Sequence, residues 1–324
     1  MTLAGGLTVI GENINATRKI KATSPRVVSE NGHTGIAYAD IDGQRRLLDC
    51  TDIIPVDPTR RAIFMIPHVA QALRRRNKDY LIALVRAQER AGAQIIDLCV
   101  DEMSPETAER QTWMRWLVRL AQSASDAIFS IDSSDAETIR AGLEAYDRAK
   151  SRPAINSYNL EEGREALLSL ASEFNALLFA NASGRDGMPQ DAEGRVANLR
   201  AAMAQMDAHG IPMSDRYLDP LVFPVGAGPD YGRHYLDAVR TLRAEYPDVH
   251  LFGGHSNVSF GLPRRGSLNH AFSLLAIAAG CDAVMIDPVA EPPAPLAVFR
   301  YAAEALLGRD EYAMSYIAHC RGHA

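Results

Sequence analysis

Residues 126–144 read DAIFSIDSSDAETIRAGLE. An apolar run, Ile128–Ser133, ends in a polar turn, and a helical stretch begins directly after it. Ser134 and Asp135 stand where a helix start wants N-caps, because a short side-chain oxygen there accepts the first unpaired amides. Asn159 reads the same way. This unit of strand, turn and helix recurs along the chain. Further strands are predicted at Thr8–Asn15, Gln94–Val100, Pro153–Tyr158, Leu177–Asn181, Tyr217–Phe223, His250–Gly254 and Ala283–Val289, which makes eight.

Between them lie helical patterns. Trp113, Trp116, Leu117 and Leu120 share one face, as do Val196, Leu199, Met203 and Met206. A last helix over about Pro293–Leu307 follows the eighth strand. Strands alternating with helices imply right-handed βαβ units and a parallel sheet. Eight units in a chain of 324 residues fit an α/β fold of the (β/α)8 (TIM) barrel type, in a single domain over residues 1–324. No Gly-rich dinucleotide fingerprint follows the first strand, which disfavours a doubly wound fold.

One segment breaks the rhythm. About 60 residues separate Asn15 from the helix starting near Lys78, far more than a usual connection. Within it, GIAYADIDGQRRLLDC alternates and carries Asp42-Gly43, a hairpin signal. A Pro-containing stretch, IIPVDPTRR, and a short helix around Pro67–Arg75 follow. In a barrel this insertion, residues 16–66, rises from the first βα loop on the active-site face and should act as a lid or docking surface.

Composition sets further bounds. An apolar fraction of 47% supports a sizeable core, and a net charge of −6 argues against nucleic acid as the main partner. No run of about 20 apolar residues offers a membrane span, and no signal-peptide pattern opens the chain, so a cytoplasmic protein is expected. Cys50, Cys99, Cys281 and Cys320 are scattered and read as buried free thiols. Arg74-Arg75-Arg76 reads as a solvated helix face.

In a barrel the C-terminal ends of the strands converge on one pocket. Those ends supply Glu12, Asn13 and Asn15; Asp97; Asp132; Asn156 and Ser157; Asn181; Asp219; Asn257; and Asp287. Carboxylates and carboxamides dominate. His255 has no second ligand at a matching position, so no metal site is expected. Carboxylates and Asn side chains suit a ligand rich in parallel donors and acceptors, such as a pterin, and would also suit a sugar. Asp132, Asn156, Asp219 and Asn257 are flanked by apolar residues, where an unpaired polar group is unfavourable.

The motifs GENIN, IDSS, AINSYN, DPLVFP and SNVSFG, in that order, resemble the methyltetrahydrofolate:corrinoid-protein methyltransferases, pterin-binding barrels related to dihydropteroate synthase. The resemblance covers roughly residues 7–15 and 78–308. It implies tetrahydrofolate or 5-methyltetrahydrofolate as substrate and a corrinoid (cobalamin) carried by a corrinoid-binding partner protein. It also implies cytoplasmic one-carbon chemistry with no membrane role, in a homodimer. Asp132, Asn156 and Asp219 are similar to the family's pterin-ring contacts. Asn257 is similar to the residue that reaches N5 of the folate and is the catalytic candidate. Glu12, Asn13, Asn15, Asp97 and Ser256 join the substrate-binding set. Arg265 is similar to a basic residue near the substrate. Phe260 stands where relatives can carry a polar residue, and the long first loop also departs from the family. Two other readings stay open, a dihydropteroate synthase-like pterin transferase and a non-catalytic folate-binding subunit of a methyl-transfer assembly. The direction of methyl transfer is open as well.

Overall fold

The computed structural model describes residues 6–322. Its eight barrel strands are β1 (Thr8–Asn15), β2 (Ile95–Cys99), β3 (Ile128–Asp132), β4 (Ala154–Tyr158), β5 (Leu177–Asn181), β6 (Arg216–Asp219), β7 (His250–Leu251) and β8 (Ala283–Ile286). Each is followed by a helix: α1 (Lys78–Arg90), α2 (Thr107–Ala124), α3 (Ala136–Glu144), α4 (Ala166–Phe174), α5 (Ala192–Ala208), α6 (Tyr231–Glu245), α7 (Arg265–Ala279) and α8 (Ala294–Leu306). The strands succeed one another in chain order within one sheet.

The chain forms two compact units. One comprises the described residues up to Gly11, Ala91–Ile95 and Ala154 onward; the other comprises Glu12–Arg90 and Ile96–Pro153.

In the first unit the ladder is parallel throughout. Ala154 of β4 faces Leu177 of β5, Asn181 faces Asp219 of β6, and Leu218 faces Leu251 of β7. Gly254 then bridges to Met285, whose N–H donates to the Gly253 carbonyl at 3.2 Å. Finally β8 pairs with β1, Ala283 with Thr8 through Ile286 with Gly11. The last strand thus hydrogen-bonds the first, which is what a barrel requires and an open sheet forbids. The fold is a (β/α)8 barrel. The α5 stripe Val196, Leu199, Met203 and Met206 is buried, as its spacing predicts.

Three strands stop earlier than their apolar runs suggest. β6 ends at Asp219 because Pro220 has no N–H to give a ladder and Leu221 turns to φ +69°. β7 ends at Leu251, before the two glycines, and β8 at Ile286, before Asp287-Pro288. The polar residues therefore sit on the last strand residue or just beyond it.

The second unit carries β2, β3 and the segment between β1 and α1. Val27–Glu30, His33–Ala39 and Arg45–Asp49 form a three-stranded antiparallel sheet, with Gly43 at φ +76° in the predicted hairpin turn. Ile20–Lys21 pairs with Met65–Ile66, so a strand pair clips the two ends of the segment together. Ile36, Leu48 and Cys50 are fully buried, giving it a small core. The first of its three sheet strands and the helix Pro58–Ile63 were not anticipated. Asp57 caps that helix by accepting from the Thr59 and Arg60 amides.

Two surface expectations change. On α2 the buried face is Met114, Leu117, Val118, Leu120 and Ala121, while both tryptophans are half-buried. Arg76 explains them, since its guanidinium lies 4.1 Å over Trp113 and 4.5 Å over Trp116. Arg75 pairs with Asp52 at 2.8 Å, so the arginine cluster is exposed but engaged. Cys50, Cys99 and Cys281 are buried free thiols as expected; Cys320 is exposed. No described helix is long and apolar enough to cross a membrane.

Candidate functional site

In the first unit, β4 brings Asn156 and Ser157 to its end, both half-buried, with a cis peptide between them. Asn181, at the end of β5, donates to Ser157 Oγ at 2.8 Å and accepts from the Ser183 amide at 2.9 Å. Its carboxamide is engaged in positioning rather than open to a ligand.

Asp219 closes β6. One carboxylate oxygen accepts the Leu221 amide at 2.7 Å. Burial pushes its pKa up to about 7, opposed by that amide and by the charge of Arg195. Arg195, on α5, is fully buried, with its guanidinium 4.8 Å over the Phe223 ring. Burial lowers its pKa, and its Nε and Nη2 have no hydrogen-bond partner among the described residues. Sequence reading missed Arg195, because an arginine beside an apolar stripe reads as a solvent-facing residue.

The end of β7 is shaped by its glycines. A Cβ on Gly253 would lie 2.7 Å from the Tyr235 hydroxyl, and one on Gly254 would lie 3.0 Å from Asn257 Nδ2. A side chain at Gly253 would force Tyr235 and Val222 to move, and one at Gly254 would press on the Asn257 amide. A short 3-10 turn, His255–Ser259, then presents Asn257. Asn257 is half-buried, and its side-chain amide makes no hydrogen bond among the described residues. His255 is fully buried, with Nδ1 3.0 Å from Ser273 Oγ, and burial drives its pKa down to about 3. It is a neutral core histidine.

Arg265 lies at the start of α7 and braces this turn. Its Nε donates to Ser259 Oγ at 3.0 Å and its Nη2 to the Ser256 carbonyl at 2.8 Å, with the guanidinium 4.5 Å over Phe260. At the end of β8, Asp287 accepts from the Val289 and Ala290 amides, both at 3.0 Å.

The second unit holds the remaining candidates. Glu12 pairs with Arg18 at 2.9 Å, and the same Arg18 nitrogen donates to Asn13 Oδ1 at 2.9 Å. Asn15 accepts from the amide and hydroxyl of Thr17, at 2.9 and 2.7 Å. Asp97 is buried. The Asp132 carboxyl is held well above the usual carboxylate range by burial and by Asp97 beside it, with the Cys99 thiol's hydrogen bond pulling the other way. Two carboxyls so close disfavour each other's ionisation. Asp101, unforeseen, gathers the turn after β3 by accepting from Ser133 Oγ at 2.6 Å and from the amide and hydroxyl of Ser134. Ser134 is therefore no N-cap; Asp135 is, accepting from the Glu137 and Thr138 amides. Asn159 caps no helix either, since α4 starts only at Ala166, and its oxygen accepts the Glu161 amide at 2.9 Å. No cluster of three or more metal-ligating side chains occurs among the described residues.

Asp and Asn side chains thus stand at strand ends within each unit. Residues 68–287 match the pterin binding enzyme family, and the chain belongs to it. It is 28% identical over 254 residues to the methylcorrinoid:tetrahydrofolate methyltransferase of Eubacterium limosum, covering 78% of this chain and 90% of that protein. It is also 28% identical over 224 residues to methionine synthase of Mycobacterium tuberculosis, covering 64% of this chain but only 18% of that protein. Among solved structures, Yersinia pestis dihydropteroate synthase in complex with a sulfonamide drug superposes with a TM-score of 0.58 at 15% identity, over 93% of this chain and 95% of that one. That likeness speaks for the fold alone.

Proposed function

We propose that the chain is a methyltransferase that moves a methyl group between N5 of tetrahydrofolate and the cobalt of a corrinoid carried by a partner protein. The unengaged, half-buried amide of Asn257 carries the reading. The Eubacterium limosum relative, matched over nearly its whole length, supports it.

N5 of 5-methyltetrahydrofolate is a tertiary amine. If it lost the methyl unprotonated, the C–N electron pair would leave it as an anion. Protonated, it leaves as a neutral amine, and the methyl passes to reduced cobalt. The Asn257 carbonyl can accept from N5–H⁺ and has nothing to accept from bare N5. Its stabilisation falls on the reactive form, which is what lowers a barrier. The reverse transfer runs through the same arrangement.

Asn156 and Asp219 are proposed as pterin contacts of the first unit, and Asp97 and Asp132 as pterin contacts of the second. A carboxylate accepts two parallel N–H bonds. Arg265 and Ser256 in the first unit, and Glu12, Asn13 and Asn15 in the second, are proposed to act through the backbone they brace. The cation-rich site that a pyrophosphate-displacing pterin transferase wants has no counterpart in Asn257 and Asp287.

The test is methyl transfer between 5-methyltetrahydrofolate and free cob(I)alamin, followed by the cobalt spectrum. Transfer supports the proposal. Folate binding with no transfer in either direction would leave a binding subunit, and pteroate synthesis would leave a dihydropteroate synthase.

A further inference from the structure

Asn257 stands on a turn, so whatever fixes the turn fixes its amide. Side chains from α7 and from the loop after β8 meet there in an unbroken chain of hydrogen bonds. Asn269 Nδ2 donates to Glu291 Oε1 at 2.7 Å, and Ser259 Oγ donates to Asn269 Oδ1 at 2.6 Å. Arg265 Nε donates to Ser259 Oγ, and Arg265 Nη2 holds the Ser256 carbonyl. Ser259 is 0% and Asn269 4% exposed.

Elementary chemistry fixes the polarity of this chain. A carboxylate accepts and cannot donate, so Glu291 faces the amide nitrogen of Asn269. That turns the amide oxygen to Ser259, whose hydroxyl must donate to it. The serine lone pair is then left for the guanidinium. One carboxylate therefore sets the direction of every bond up to the arginine, and the chain grips the turn on both sides of Asn257, at Ser256 and Ser259.

We propose that Asn269, oriented by Glu291, is a positioning residue that holds Asn257 in register with N5. This rests on the methyl-transfer reading. Asn269→Asp puts a second carboxylate against Glu291 and breaks the chain. Adding Glu291→Gln supplies an amide N–H to that new carboxylate and rebuilds the chain, with the negative charge moved one residue. Glu291→Ala is a milder variant, since Glu291 is only half-buried.

Three readouts are needed: single-turnover transfer to free cob(I)alamin, calorimetric affinity for 5-methyltetrahydrofolate, and thermal unfolding. Because small misplacements of a catalytic group are strongly felt, Asn269→Asp should slow transfer about tenfold or more. Folate affinity should stay within about twofold. The double variant should recover most of the rate, and Glu291→Ala should fall between. A rate unchanged in Asn269→Asp, a double variant as slow as the single at wild-type thermal stability, or a parallel loss of rate and affinity would overturn the inference. A wild type that transfers no methyl overturns the function and this inference with it. A wild type that transfers, with Asn257→Ala impaired and Asn269→Asp not, overturns the positioning role alone.

Discussion

Asp219→Asn should make the protein more stable while weakening its hold on folate. The substitution isolates charge, because the Asn oxygen can still accept the Leu221 amide that Asp219 accepts at 2.7 Å. In the folded chain burial raises this carboxyl from 3.8 to about 7. At 1.36 kcal/mol per pH unit that difference is a ceiling of about 4 kcal/mol of destabilisation at pH 8. Partial solvent access reduces the gain expected from Asn to about 2–4 kcal/mol. The sign follows from proton linkage. Between the unfolded and folded values the folded state binds more protons, so wild-type stability falls as pH rises from about 4 to 7 and then levels. Urea unfolding of both proteins at pH 5, 7 and 8.5 should give curves that separate progressively with pH. Parallel curves, or a less stable variant at pH 8.5, would refute the buried-charge argument. Calorimetry should show folate affinity down about 10- to 100-fold, the worth of a hydrogen bond to a charged group. In the wild type that affinity should fall as pH drops below about 7, where Asp219 takes up its proton.

Asn257→Ala should slow single-turnover transfer more than it weakens folate binding; equal losses would count against a role at N5. Asp132→Asn can donate to Asp97 and relieves the crowding of two carboxyls, so thermal stability at neutral pH should rise and folate affinity fall, whereas a drop in stability would contradict the mutual repulsion of the two carboxyls. Replacing residues 32–52 by a short flexible link should spare transfer to free cobalamin and slow transfer with the cognate corrinoid protein. If both acceptors suffer alike, the segment is a support, and the edge contact of Tyr38 on Tyr80 at 4.9 Å would be the reason.

The starts of the strands were legible because apolar runs follow polar turns. Their stops were not, because the apolar run outlasts the ladder. Val222 is buried in irregular chain beyond Asp219, so hydrophobicity continues where pairing has ended. The proline and the left-handed Leu221 decide the boundary, and only the proline is visible in a sequence. Trp113 and Trp116 share a face with Leu117 and Leu120 by their spacing, yet spacing alone does not say how deeply that face is buried. Arg76, far away in sequence, supplies them with a cation. Arg195 shows the same limit: periodicity treats arginine as solvent-facing, and here it is enclosed.

The strand-end polar residues look alike in sequence, and the structure separates them by one local question. Asn15, Asn159, Asn181, Asp219 and Asp287 each accept the backbone N–H two residues on, from Thr17, Glu161, Ser183, Leu221 and Val289. This Asx turn is what a short polar side chain does by default where a strand gives way to a loop. An Asn so engaged has little left for a ligand, whereas an Asp keeps its second oxygen. Asn257 breaks the pattern because the chain enters a 3-10 turn there. Its amide is left with both edges open, while Arg265, Ser259 and Asn269 do the work of holding the backbone. A polar side chain relieved of its local duty, on a turn braced by others, is how a fold presents a group to a ligand; by that criterion Asn257 and the free oxygen of Asp219 are the two groups of the first unit to test first.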